Sequence, residues 1–100
     1  MSKKVVGMHF VCRGNKNVTD NGNGTFDTGF WFVNPKHRAT VEYVALHDSK
    51  ATTSYRQGRV ISARDIPYEG KIRTIFTVRP EGGPRAWEGG GSGEKGFLWR

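Results

Sequence analysis

A hydrophobic period of two residues, repeated along most of the chain, is the feature that most constrains its fold. Successive side chains of a β-strand point to opposite faces, so this pattern predicts strands with one buried and one exposed face. In the clearest segment, 71–79, the core face is expected to carry Ile72, Thr74, Phe76 and Val78. The other face is predicted to be basic and carries Lys71, Arg73, Ile75, Thr77 and Arg79.

Four other segments show similar apolar patterns between turn residues and are also predicted to be strands. They are residues 5–12, 26–33, 41–47 and a segment centred on 59–64. In the first segment we place Met8, Phe10 and Cys12 on one face. In the second we place Trp31 on the face opposite Phe32, so that this strand carries aromatic side chains on both sides.

The connections between these strands are rich in turn-forming residues. Residues 13–25 contain four Asn and three Gly, which favour tight turns, and are predicted to be a turn-rich loop or hairpin. Residues 66–70 are predicted to be another loop, and only Pro35–Thr40 is expected to form a helical turn. The sequence therefore predicts a mainly β fold: a single small antiparallel sheet or partly open β-barrel of about five to six strands with little helix.

The length of 100 residues fits one β domain spanning 1–100, because a chain of this size supports a single core. Seven of the 14 glycines lie in the last 21 residues, and 88–96 is predicted to be a glycine-rich loop. A plain linker would gain nothing from tryptophans. Trp87 and Trp99 are therefore expected to pack back onto the domain, with residues 89–93 as a mobile loop between them.

The residues give little support for catalysis, a cofactor or a metal. The glycine pattern at 91–96 matches the letters of a dinucleotide-binding motif but leaves no space for the following helix, so no cofactor is expected. Histidines in predicted strands, such as His9 and His47, are more often buried than ligating, and His37 lies among cations that would oppose a metal. We expect no enzyme activity; a small hydrolase using His47 is the catalytic alternative.

The single cysteine, Cys12, excludes an internal disulfide and favours a reducing compartment, so we expect a cytoplasmic protein. The basic start of the chain is followed by neither an unbroken apolar run nor a cleavage pattern, and no signal peptide is expected. The sequence contains no apolar run of the roughly 18 residues that a membrane span requires, so no membrane association is predicted.

The positive charge is concentrated in one part of the chain. The net charge is +7, and residues 50–79 contain seven basic and two acidic residues, a net +5. If the strands in this region pair, their cations form a stripe that suits phosphate binding. The stripe would comprise Lys50, Arg56, Arg59, Arg64, Lys71, Arg73 and Arg79. The alternative is that these residues only promote solubility and protect strand edges.

Three elements between residues 26 and 64 carry a family resemblance. They are Phe30-Trp31-Phe32-Val33, Tyr43-Val44-Ala45-Leu46-His47, and a polar loop leading into Gly58-Arg59-Val60-Ile61. In this order they resemble elements of the PUA-like small β-barrels, particularly the EVE and ASCH branches. An aromatic-lined pocket in those families can hold a nucleotide base. The resemblance implies a pocket here at Trp31, His47, Ser54 and Tyr55.

These observations predict a non-catalytic module that binds nucleic acid or another polyanion through a basic strand face, with aromatic rings stacking on bases. The alternative is a small-ligand or protein-interaction domain, including a homodimer. In that case Trp31, Trp87 and Trp99 would line a groove or a subunit face.

Overall fold

The computed structural model describes residues 3–88 and 95–100, which contain seven strands in one open sheet. The strands are β1 (Val5–Val11), β2 (Val18–Asp20), β3 (Phe26–Trp31), β4 (Tyr43–His47), β5 (Arg56–Tyr68), β6 (Lys71–Pro80) and β7 (Lys95–Trp99). A 3₁₀ turn (Arg13–Asn15) and a short helix, α1 (Pro35–Arg38), connect them. The prediction of a mainly β fold with little helix is confirmed. No helix in the described ranges is long and apolar enough to cross a membrane.

The strands are ordered β2-β3-β6-β5-β4-β1-β7 in the sheet. Neighbouring strands are antiparallel except for β1 and β4, which are parallel, with Met8 opposite Val44 and Phe10 opposite Leu46. Parallel neighbours need a long crossover connection, which β2, β3 and α1 provide here. The sheet is thus mixed, whereas the sequence pattern predicts an antiparallel one.

Two predicted loops contain more strand than the sequence pattern indicates. Strand β2 lies within residues 13–25, and β5 extends to Tyr68, so the loop predicted at 66–70 shrinks to a two-residue turn. The turn residues, Glu69 and Gly70, both have positive φ angles, of 50° and 79°, as tight hairpin turns require. In the predicted glycine-rich loop, residues 95 and 96 belong to β7. The mobile loop predicted at 89–93 lies outside the described residues.

The sheet curls so that its two ends approach each other. The ring of Trp31 in β3 stacks on Phe10 in β1 at a centroid distance of 4.0 Å, although three strands separate β3 from β1 in the sheet. The Lys95 ammonium in β7 donates to the carbonyl of Phe32, just beyond β3, at 2.8 Å. The core fills the inner face of the curl and includes Val5, Met8, Phe10, Cys12, Phe26, Val41, Val44, Leu46, Phe76 and Val78.

Trp31 lies on the face opposite Phe32, as predicted, and a register shift decides that Trp31 is the one that faces the core. The pairing of β3 with β6 shifts register between Thr28 and Trp31, so Trp31 lies opposite Thr74, whose side chain is on the core face. Trp31 therefore packs inward, while Phe32 is 64% exposed. Strict alternation fails here because an irregular pairing moves the following side chains to the other face of the sheet.

The face assignment of β6 agrees with the prediction over most of its length. Thr74, Phe76 and Val78 are buried on the inner face. Ile72, on the same face, is 59% exposed because it lies beside the turn, beyond the covered part of the sheet. On the opposite face, Lys71 and Arg79 are exposed and Arg73 and Thr77 are half-buried. Ile75, which was predicted on this basic face, is buried because its side chain lies against Gly29.

Candidate nucleic-acid interface

The pairing of β5 with β6 brings cations from the two strands onto the outer face of the sheet. Arg59 lies directly opposite Arg79, and Arg64 lies opposite Ile75. Residues that face each other in an antiparallel pair project to the same side of the sheet. The neighbouring pair of Val60 and Val78 projects to the core side, so the arginines project outward.

An irregularity in β5 decides which cations share this face. Arg59 and Arg64 are an odd number of positions apart, so strict alternation would place them on opposite faces. The register shifts between Val60 and Ser62, which inserts Ile61 as an extra residue and returns both arginines to the outer side. We define the outer basic face as Arg59, Arg64, Lys71, Arg73 and Arg79.

Two cations of the predicted stripe lie elsewhere. Arg56 is on the inner side of β5, where its guanidinium pairs with Asp20 at 2.9 Å and lies 4.9 Å from the ring centroid of Phe26. Lys50 lies in the loop between β4 and β5, with its ammonium 5.4 Å from the ring centroid of Trp87. Simple alternation separates Arg56 from Arg59, and the bulge moves Arg64 from the face of Arg56 to the face of Arg59.

The cations of the outer basic face fall into two groups. Arg59 and Arg64 form ion pairs, Arg59 with Glu81 at 3.3 Å and Arg64 with Asp27 at 2.9 Å. Within residues 3–88 and 95–100, the ion pairs include no carboxylate for the others, Lys71, Arg73 and Arg79. These three charges are available to an anion without first breaking an ion pair.

Asp27 is the carboxylate embedded in this face. Burial favours its neutral form, but hydrogen bonds from Asn21, Arg64 and Thr77 outweigh burial and hold the pKa of Asp27 below its ordinary value. Its Oδ1 accepts from the Thr77 hydroxyl at 2.7 Å, and Thr77 lies opposite Asp27 in the ladder. Asp27 therefore stays ionised near neutral pH and holds Arg64 in place.

An aromatic pair lies at the turn end of the outer basic face. Tyr68 faces Lys71 across the hairpin, and its ring stacks on Phe30 at a centroid distance of 4.3 Å. Tyr68 is 38% exposed, so part of its ring is open to solvent. Proteins that bind single-stranded nucleic acids combine such features: an exposed aromatic ring stacks on a base, and neighbouring cations contact the phosphates.

Arg85 adds a further cation at the other end of this face, and the sequence patterns do not indicate it. Tyr43 in β4 lies opposite Arg59, and the Arg85 guanidinium lies 4.1 Å from the Tyr43 ring centroid. A cleft of about 250 Å³ separates these groups and is also lined by Glu81. Arg85 belongs to an irregular segment, so no periodic pattern could have assigned it to a face.

The residues that the family resemblance suggests for a pocket lie in separate environments. Trp31 lines a cleft of about 320 Å³, and Tyr55 lines a different one of about 520 Å³. His47 and Ser54 are buried. The Ser54 hydroxyl accepts from the Arg85 backbone N–H at 2.8 Å, and the Tyr55 hydroxyl donates to the carbonyl of Cys12. Burial, followed by this hydrogen bond, raises the pKa of Tyr55.

The three tryptophans contact different partners. Trp31 stacks on Phe10, the Trp87 ring lies 5.6 Å from His9 and 5.0 Å from His47, and Trp99 contacts His37 at 5.1 Å. No two tryptophan rings meet in the part of the chain that the structure describes. The contacts do not favour one shared aromatic groove, although Trp87 does return to the domain as predicted.

His9 and His47 form a buried pair beneath Trp87. Nδ1 of His9 lies 2.7 Å from Nε2 of His47, and both side chains are inaccessible to solvent. Burial, then the neighbouring His47 and Arg85, lower the pKa of His9 from 6.5 to about 4. Across residues 3–88 and 95–100, no three His, Cys, Asp or Glu side chains come together in a group that could hold a metal ion.

The chain was compared with models of protein families, with curated proteins and with solved structures, and none of the three comparisons finds a match. The resemblance to PUA-like barrels therefore stays a prediction from the sequence.

Proposed function

We propose that this protein binds single-stranded nucleic acid through the outer basic face, without catalysing a reaction on it. The observation that carries the proposal is the direct opposition of Arg59 and Arg79. Like charges directly opposite each other destabilise a sheet, and Glu81 pairs with Arg59 but not with Arg79, so the stability of the sheet does not explain this pair. A polyanion lying between the two guanidinium groups would turn that repulsion into attraction.

The dimensions of the face suit a nucleic-acid strand. Lys71 and Arg79 are eight residues apart on β6, and at about 3.4 Å per residue their Cα atoms lie about 27 Å apart. Arg73 lies between them, and Arg59 and Arg64 lie beside β6 on the antiparallel neighbour β5. The face therefore offers several successive phosphate contacts rather than one.

The aromatic pair favours single strands over a duplex. Tyr68 presents part of its ring beside Lys71. Bases stack on such a ring only when they are unpaired, and this stacking tolerates any sequence. Binding is expected to depend weakly on base identity and strongly on salt.

The test is fluorescence anisotropy with a labelled 12-nucleotide single strand, measured from 50 to 300 mM salt. Four to five phosphate contacts predict a slope of about −3 in a plot of log affinity against log salt concentration. Replacing both free arginines, Arg73→Gln and Arg79→Gln, is expected to flatten the slope by about 1.4, at about 0.7 for each contact.

The control is Arg56→Gln, which removes one arginine charge from the neighbouring strand β5, on the inner side of the sheet. This variant is expected to keep the slope of the wild-type protein. Absence of binding at 50 mM salt, or equal slopes for the double variant and the wild type, would overturn the proposal.

A further inference from the structure

A second positively charged site lies at the β7 edge of the sheet and shares no lining residue with the outer basic face. It is a cavity of about 410 Å³, which is within the size range of small-ligand sites. The lining residues that matter for the inference are Lys3, Lys4, Lys36, His37 and Trp99.

One wall of this cavity is built by the pairing of the two ends of the described chain. Lys4 and Arg100 exchange both backbone hydrogen bonds, at 2.7 and 2.8 Å, and Val5 faces Trp99 in the β1–β7 ladder. The ladder therefore holds the Trp99 ring next to the lysines that precede β1.

The opposite wall is built by α1 and the residues that follow it. His37 meets the Trp99 ring edge-on at a centroid distance of 5.1 Å, and Lys36 precedes it. The Thr40 hydroxyl donates to the carbonyl of Val5 at 2.6 Å, which ties this segment to β1. Lysines from two distant parts of the sequence are thus brought to one cavity.

The charge of the cavity is positive and uncompensated. Lys3, Lys4 and Lys36 are exposed, and none of them takes part in an ion pair within the described ranges. The lining contains no Asp or Glu. A concave site with cations of one sign attracts an anion.

Trp99 supplies a second kind of contact. It is 45% exposed, and its ring meets His37 in an edge-to-face arrangement. The nucleobase is a planar group that stacks on such a ring, and stacking contributes binding energy for any base. The site therefore offers an aromatic surface together with phosphate-binding ammonium groups.

We propose that this cavity binds one nucleoside monophosphate unit, with its base on Trp99 and its phosphate between Lys3 and Lys36. The unit is either a free mononucleotide or the 5′-terminal nucleotide of a strand. The inference goes beyond the proposed function, because it needs none of the residues of the outer basic face.

The test uses the full chain carrying Arg73→Gln and Arg79→Gln, so that binding at the outer basic face is suppressed. AMP is titrated while the Trp99 indole N–H signal is followed by NMR, with the signal assigned from a Trp99→Phe spectrum. Saturable shifts of this signal are expected. Adenosine and inorganic phosphate are each expected to bind at least about tenfold more weakly, because each makes only part of the contacts.

The charge contribution is tested with a Lys3→Ala, Lys36→Ala variant in the same background. Its dissociation constant for AMP is expected to rise about tenfold or more, since two charge-assisted contacts are lost. The matched control is Lys16→Ala, an exposed lysine that lines a different cleft, and its affinity for AMP is expected to stay unchanged.

A 5′-phosphorylated trinucleotide and its unphosphorylated form distinguish the two sources of the ligand. Tighter binding of the phosphorylated trinucleotide than of AMP supports a strand end, and the reverse order supports a free nucleotide. The proposal is overturned if AMP leaves the Trp99 signal unshifted, if removal of Lys3 and Lys36 leaves the affinity unchanged, or if inorganic phosphate binds as tightly as AMP. None of these results bears on the salt dependence of the outer basic face.

Discussion

Nδ1 of His9 lies 2.7 Å from Nε2 of His47 in the buried space beneath Trp87. Nδ1 of His47 lies 2.8 Å from the carbonyl of Thr52, which can only accept, so this nitrogen carries a proton. With both rings neutral, His9 then donates to His47, and Nε2 of His9 accepts from the Tyr43 hydroxyl at 3.4 Å. Every ring nitrogen has a partner in this arrangement, and neither imidazole needs a charge.

The first prediction concerns the dependence of stability on pH. The pKa of His9 is about 4 in the folded protein and about 6.5 when the chain is unfolded. Protons therefore bind the unfolded state preferentially between these values, so stability is full above pH 6.5 and falls as the pH drops toward 4. The free energy of unfolding is expected to decrease by about 2–3 kcal/mol between pH 7.5 and 4.5, measured by urea denaturation.

A His9→Gln variant provides the control, because it removes the titrating group. Its stability is expected to change much less over the same range, whatever its absolute value. Equal stability of the wild-type protein at pH 7.5 and 4.5 would contradict the assignment of a neutral, buried His9.

The second prediction concerns the cost of the opposed arginines. Arg79→Gln is expected to raise the free energy of unfolding at low salt by about 0.2–1 kcal/mol, because it removes the like charge that lies opposite Arg59 in the ladder. It is also expected to weaken binding of the oligonucleotide. Arg64→Gln is the comparison, since it breaks the ion pair with Asp27 and gains no such relief. An Arg79→Gln variant that unfolds more easily and binds normally would count against a functional origin for the pair.

The third prediction tests the register shift in β3. Trp31→Ala is expected to lower the free energy of unfolding by about 2–4 kcal/mol, because it removes the ring stacked on Phe10. The adjacent Phe32→Ala is expected to cost under about 1 kcal/mol, since Phe32 is 64% exposed and contacts mainly Arg73 and Lys95. Chemical denaturation of both variants gives the comparison, and a reversed order would mean that strict alternation continues through this strand.

The fourth prediction concerns the attachment of the Trp87 segment. The Ser54 hydroxyl accepts from the Arg85 N–H at 2.8 Å and donates to Gln57 at 2.6 Å. Ser54 is buried, whereas Gln57 is half-buried and Arg85 is exposed. Ser54→Ala removes both hydrogen bonds and is expected to cost about 1–2 kcal/mol. Its neighbour Thr53 is exposed, so Thr53→Ala is expected to change stability by less than about 0.5 kcal/mol. Thermal unfolding measures both, and equal losses would show that Ser54 does not clamp the segment.

Strands with strong local alternation were predictable from the sequence. The core residues Thr74, Phe76 and Val78 of β6, and its basic outer face, follow directly from a period of two. The short helix after Asn34 was also predictable, because Pro35 fits the first helical turn and Asn34 accepts from the backbone N–H of Lys36. These features depend on residues that are neighbours in the chain.

The candidate site was predictable only in part. The concentration of positive charge in residues 50–79 indicated the β5–β6 hairpin, but alternation alone would group Arg64 with Arg56 rather than with Arg59. The bulge at Ile61 reverses that grouping. Lys3 and Lys36, which line the second site, are separated by more than thirty residues and share no local pattern.

Hydrophobic alternation and turn chemistry in the sequence specify the strands β1, β3, β4 and β6 and the middle of β5, but not β2 or β7. They also specify which residues of a regular strand share a face, because both act over a few residues. The parallel pairing of β1 with β4, the bulge in β5, the inward position of Trp31 and the contact between His9 and His47 arise from pairings between distant segments. Their geometry is set by how the whole sheet curls around one core. The tertiary structure therefore decides which of the cations share one face of the sheet.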